Sequence, residues 1–197
     1  HHPRSVSSFK TTAAALTIHD ETVIRTAPSL VELCNLQGVR KQKIAFSDGE
    51  GSPSHLDLNG KFLAVATDTG LLKVFQIGDR REPKLLCSGR FDVSSSSIRS
   101  IKVNADGTRV SVLADKVHGA TLRIREPDSR LFVYDSDRDM VDAYDFAPAR
   151  RCPVSHFWDP LEAKLLACET RALFTRRSQD RNKAPENIAP AYSSLGL

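Results

Sequence analysis

Residues 55–77 read HLDLNGKFLAVATDTGLLKVFQI: two apolar runs flank Thr67-Asp68-Thr69-Gly70, after a first short run that alternates polar and apolar. Alternation at period two predicts a half-buried strand, and a short continuous apolar run predicts a strand covered on both faces. Asn59-Gly60 sits between the first two runs, and these residue types accept the positive φ that a hairpin turn demands. The pattern returns at residues 101–113, IKVNADGTRVSVL, with Asp106-Gly107 at the turn. Further along, Lys73-Val74-Phe75-Gln76-Ile77 corresponds to Phe132-Val133-Tyr134-Asp135-Ser136: a β-branched residue, an aromatic, then a polar turn. A fourth strand is predicted after each, at 84–91 and 141–146. The second unit carries an excursion at 116–127 between its second and third strands.

Another unit starts at 154–159 and continues at 164–168. Upstream, 13–18, 29–35 and 43–46 read as later strands of a preceding unit. Four short strands recurring about every 45 to 55 residues, with no strong helix signal, are the signature of a β-propeller blade. A β-sandwich also has short strands and regular turns, but not this likeness between units. The expectation is therefore all-β: a WD40-type β-propeller fragment of about two full blades plus parts of two others. It is not a closed ring by itself, because rings take about four to eight blades. Residues 1–12 are expected to be a flexible end, 13–174 the blades, and 175–197 a disordered polar tail or loop. The chain does not begin with Met, which agrees with a fragment.

Composition changes this picture little. The chain has 197 residues, 40% hydrophobic and 26% charged, as soluble globular domains do. No stretch approaches the roughly 20 apolar residues of a membrane span, and no signal peptide is evident. The net charge of +4 invites a nucleic-acid reading, but its location argues against one. Beyond residue 170, Arg171, Arg176, Arg177, Arg181 and Lys183 face only Asp180 and Glu186, which leaves +1 for the first 170 residues. A folded basic surface tracking phosphates is not supported.

Candidate chemistry is sparse. Cys34, Cys87, Cys152 and Cys168 show no CxxC pair and no histidine at zinc-finger spacing, so reduced, buried thiols are expected. His55 and His156 sit early in first strands and are expected to hydrogen-bond across a blade; His118 lies in the excursion and is expected to be solvated. No nucleophile stands in a recognisable motif beside them. Asp135, Asp137 and Asp139 lack the Gly and Glu of a calcium loop and read as a polar turn. Asp68 with Gly70 and Asp106 with Gly107 are turn residues, residues 94–97 a link between blades, and Trp158 a core aromatic. Catalytic, cofactor-binding and metal residues are expected to be none.

Three stretches carry a resemblance. They are Pro153-Val154-Ser155-His156-Phe157-Trp158-Asp159-Pro160 with Lys164-Leu165-Leu166-Ala167-Cys168-Glu169, Pro127-Asp128-Ser129-Arg130-Leu131-Phe132-Val133-Tyr134-Asp135, and the hairpin around Gly60-Lys61-Phe62. Together they resemble the second WD-repeat propeller of the intraflagellar transport protein 140 family, from about residue 13 to 170. The resemblance implies a non-catalytic scaffold subunit of the intraflagellar transport A complex, in the cilium and cytoplasm, supporting retrograde transport, cilium assembly and entry of membrane cargo. Its implied partners are the other subunits of that complex and ciliary cargo adaptors, with no nucleic acid, no membrane span and no small-molecule substrate. Two stretches depart from the family pattern: the link at 146–153 is short, and the tail after Thr175 has no counterpart. The competing readings are a WD-repeat scaffold of another assembly, such as a vesicle coat, and a propeller enzyme. The latter would need polar groups converging on the central channel.

Overall fold

The computed structural model describes residues 8–78, 81–92, 96–116, 129–144, 155–160, 164–168, 173–177 and 186–187. Within them the period-two patterns become strands that pair with their neighbours in the chain. β1 (Leu16–His19), β2 (Thr22–Ala27), β3 (Leu30–Cys34) and β4 (Arg40–Ala45) form one antiparallel sheet. β5 (Pro53–Asn59), β6 (Phe62–Thr67), β7 (Leu71–Gln76) and β8 (Lys84–Arg90) form the second. β9 (Ser96–Val103), β10 (Arg109–Lys116), β11 (Ser129–Asp135) and β12 (Met140–Tyr144) form the third. β13 (Ser155–Trp158), β14 (Lys164–Cys168), β15 (Leu173–Arg177) and β16 (Glu186–Asn187) form the fourth. Among the described residues no sheet closes on itself, and no helix is long and apolar enough to cross a membrane.

Three places differ from the expected strands. The upstream unit, expected to supply only later strands, is a complete sheet because of β2. Arg25 and Thr26 interrupt its apolar run, yet each has a partner. The Arg25 guanidinium donates to Glu32 across the ladder at 2.8 Å, and Thr26 Oγ1 accepts from the Ala14 and Ala15 N–H groups at 3.1 and 3.0 Å. Next, Ser96 and Ser97 belong to β9, opposite Lys116 and Asp115, rather than to a link. Finally, β15 and β16 carry the fourth sheet into the stretch expected to be a tail or loop. There Thr175 is paired with Leu166 on one side and Glu186 on the other. Ladder hydrogen bonds use the main chain, so a polar sequence does not forbid them. The excursion beyond Lys116, with His118, lies outside the described residues.

The chain divides into two compact units, His1–Phe91 and Asp92–Leu197. In the first, Ile24 opposes Leu33 and Val31 opposes Ile44, so one face of the first sheet is mostly apolar, with Thr26 and Gln42 at its margins. That face packs on Leu63, Val65, Phe75 and Ile77 of the second sheet, with Leu56 and Leu58 partly buried beside them. Each such side chain contributes roughly 1.5–3 kcal/mol by leaving water. The Asn59-Gly60 hairpin forms as expected: Asn59 pairs with Phe62, and Gly60 takes φ +56°.

The loop from the first sheet to the second is fastened at several points. Glu50 receives the Ser47 N–H at 2.8 Å and contacts the Lys73 ammonium, which also lies 5.1 Å from the Phe46 ring centroid. Those hydrogen bonds hold the Glu50 carboxyl below its ordinary pKa, Lys73 first among them. Thr69 donates to the Glu50 carbonyl at 2.8 Å, and Asp68 accepts from the Ser52 N–H at 2.9 Å. Between them Gly51 has φ +80°, and a Cβ there would lie 2.4 Å from Asp68 Oδ1 and 2.6 Å from Thr69 Cγ2. Gly51→Ala is therefore expected to cost about 2 kcal/mol, read as a lowered urea midpoint. A midpoint unchanged within error would mean that this loop is not held against the β6–β7 turn.

In the second unit the β9–β10 turn is built on side chains. Asp106 Oδ1 accepts from the Thr108 N–H at 3.1 Å, Asn104 Oδ1 from the Arg109 N–H at 2.9 Å, and Gly107 has φ +74°. Leu113, Leu131 and Val133 of the third sheet pack against Trp158 and Leu165 of the fourth.

Candidate functional site

β13 is four residues long and alternates: Ser155 and Phe157 are exposed, His156 and Trp158 buried. This is what period two produces when one strand face lies on a neighbouring sheet. His156 is 1% exposed, and each ring nitrogen meets a serine of the third sheet. Nε2 lies 2.7 Å from Ser100 Oγ on β9, and Nδ1 lies 2.7 Å from Ser111 Oγ on β10. Two residues on, the Trp158 indole N–H donates to the Lys102 carbonyl at 2.9 Å. Ser111 Oγ donates to that same carbonyl at 3.3 Å. Ser111 and Lys102 are ladder partners, so the contact sits on one rung of the third sheet.

Burial pushes the His156 pKa down to about 4, the Lys102 charge adds to that, and a backbone hydrogen bond at Ser100 opposes both. A neutral imidazole has one donor and one acceptor nitrogen, which suits two hydroxyls. A serine beside a histidine is also the beginning of a nucleophile–base pair. Here the ring and Ser111 are buried and Ser100 is half-buried, and a base at about pKa 4 is mismatched to proton abstraction at neutral pH. The arrangement joins sheets. His156 was expected to hydrogen-bond across a blade; its ring bonds to Ser100 and Ser111 of the third sheet. His55 bonds through Nδ1 to Ser54 Oγ at 2.9 Å, and burial lowers its pKa.

The acidic run after β11 is a turn, as expected, and it is wired internally. Asp135, 3% exposed, accepts from Arg138 Nε at 2.8 Å and from the Asp137 N–H at 3.1 Å, with Arg109 Nε 3.5 Å away. Burial raises its pKa, but the Arg138 hydrogen bond and the charges of Arg109 and Arg138 hold it below the ordinary value. Arg138 reaches on to Asp142 at 3.0 Å. Among the described residues no group of three or more His, Cys, Asp or Glu side chains is placed to hold a metal ion. Cys34 is a buried free thiol. Asp68 has a role beyond the turn, since it holds the Ser52 N–H; nothing local in the sequence points to a partner sixteen positions away.

Comparison with known proteins agrees with this architecture. The propeller domain of Cps50 (Swd1) from Myceliophteria thermophila superposes with a TM-score of 0.56 at 14% identity, over 76% of this chain and 47% of that one. Hsv2 from Kluyveromyces lactis gives 0.56 at 12%, over 93% and 58%, and hydrazine synthase from Kuenenia stuttgartiensis 0.54 at 14%, over 79% and 49%. At these identities the likeness concerns the fold, and the chain spans about half the length of each of those structures. The fold is that of a β-propeller fragment, with four sheets of four strands among the described residues where two full and two partial blades were expected. In sequence, residues 1–150 match the family described as the IFT140 second beta-propeller. The match takes in the 1–12 end and stops before the Ser155-His156-Phe157-Trp158-Asp159 stretch. By that match the chain belongs to the IFT140 second beta-propeller family.

Proposed function

We propose that the chain is a scaffold element of the intraflagellar transport A complex. In this reading its blades hold other subunits and cargo adaptors in the cilium during retrograde transport, cilium assembly and entry of membrane cargo. The observation that carries it is family membership over residues 1–150. The physical contribution is rigid surface: sheets locked face to face present loops and edges in fixed positions. No catalytic, cofactor or metal residues are assigned.

The experiment is affinity recovery of the tagged intact protein from ciliated cells, with mass spectrometry of what accompanies it. The other subunits of the transport A complex are expected. Coat or nuclear proteins in their place, with none of the ciliary set, would sink the assignment.

A further inference from the structure

We propose that the outer edge of the second sheet, at Leu85 and Leu86 of β8, docks an acidic amphipathic helix of a partner protein. β8 is the last strand of its sheet, and among the described residues no strand follows it. Leu85 and Leu86 are 48% and 39% exposed, while Leu71, Leu72, Val74 and Phe75 of the adjacent β7 are all buried. The other outer strand of this unit, β4, exposes Arg40, Lys41 and Lys43, the usual protection of an edge. β8 exposes two adjacent leucines instead.

The register is broken at the leucines. Phe75 opposes Leu85 and Val74 opposes Cys87, so Leu86 is the extra residue of a bulge. A bulge bends the strand and interrupts its ladder. That disfavours a strand added alongside and leaves recognition to side chains. Docking of a helix by its apolar face is the recognition mode that works through side chains.

Charge selects the kind of helix. Arg81, Lys84 and Arg90 are exposed around the leucines, with Glu82 the one acid in that stretch. Both ends of the patch are anchored. Gln42 donates to the Arg81 carbonyl at 2.9 Å, and Arg90 donates to the Thr69 carbonyl and hydroxyl, each at 3.3 Å. A second copy of the chain would bring like charges together, which is unfavourable. Carboxylates flanking an apolar helix face complement the patch. The inference rests on the scaffold reading above and specifies one of its contact surfaces.

The test places a benzophenone-bearing amino acid at position 86 of the intact protein in ciliated cells, with the same label at Met140, itself 45% exposed, as reference. After irradiation, mass spectrometry identifies the cross-linked segment. The expected product is a helical segment of another protein with net negative charge, and Lys84→Glu reduces it roughly fivefold. Cross-links to lipid, to a second copy, to a basic or extended segment, or none above the Met140 reference, would overturn the proposal. Subunit recovery separates the two readings. Complex subunits recovered without the position-86 product leave the scaffold role standing and remove this contact; no ciliary subunits at all removes the scaffold role itself.

Discussion

His156→Ala is expected to lower the stability of the chain by about 4 kcal/mol at neutral pH. Two effects add. The substitution empties the space of an imidazole in a position 1% exposed, and the neighbouring sheets close over such a gap only in part. It also takes from half-buried Ser100 the ring nitrogen 2.7 Å away and leaves buried Ser111 with the Lys102 carbonyl alone, and each such lost hydrogen bond costs about 1 kcal/mol. Urea midpoints of the wild type and variant measure the difference. Phe157→Ala, on the same strand but 36% exposed, is the control and should cost under about 1 kcal/mol. Equal losses from the two substitutions would mean that β13 has no preferred face.

The second large effect is acid sensitivity. His156 has a pKa near 4 in the folded chain against an ordinary 6.5. The unfolded state therefore binds its proton first as the pH falls. The full contribution is present above pH 6.5 and declines between 6.5 and 4. Over that window about 3 kcal/mol is lost, and below it this residue adds no further dependence. His55, lowered by burial in the same direction, adds a smaller slope. Comparing wild type with His156→Ala cancels His55 and isolates His156. The gap between them should narrow as the pH is taken from neutral to about 4. A gap that stays constant would show that the ring is as free to protonate in the fold as in the unfolded chain.

The sequence made the hairpins legible because their determinants are local. Asn59-Gly60 and Asp106-Gly107 turn the chain where the structure turns it, since positive φ is a property of one or two residues. β2 was hidden for the opposite reason. Arg25 and Thr26 look solvent-facing until Glu32 on β3 and the N–H groups before β1 supply their partners. The start of β9 at Ser96 was missed because a serine in a ladder gives no apolar signal. For the joining site, Trp158 was legible as core, but the partners of His156 lie 56 and 45 positions back. No periodicity connects a histidine to two serines on other strands. The exposure of Leu85 and Leu86 was equally hidden, because an apolar strand pattern does not show which strand lies at the edge of its sheet or that Leu86 falls at a bulge.

Each of the four sheets takes its strands in the order of synthesis. Ladders can therefore close by hairpins as the chain leaves the ribosome, most of them across short loops, with the excursion between β10 and β11 the longest. The contacts that span long sequence separations, such as His156 with Ser100, join sheets that already exist. Docking of sheet on sheet, rather than strand pairing, is then what closes the long loops of the chain.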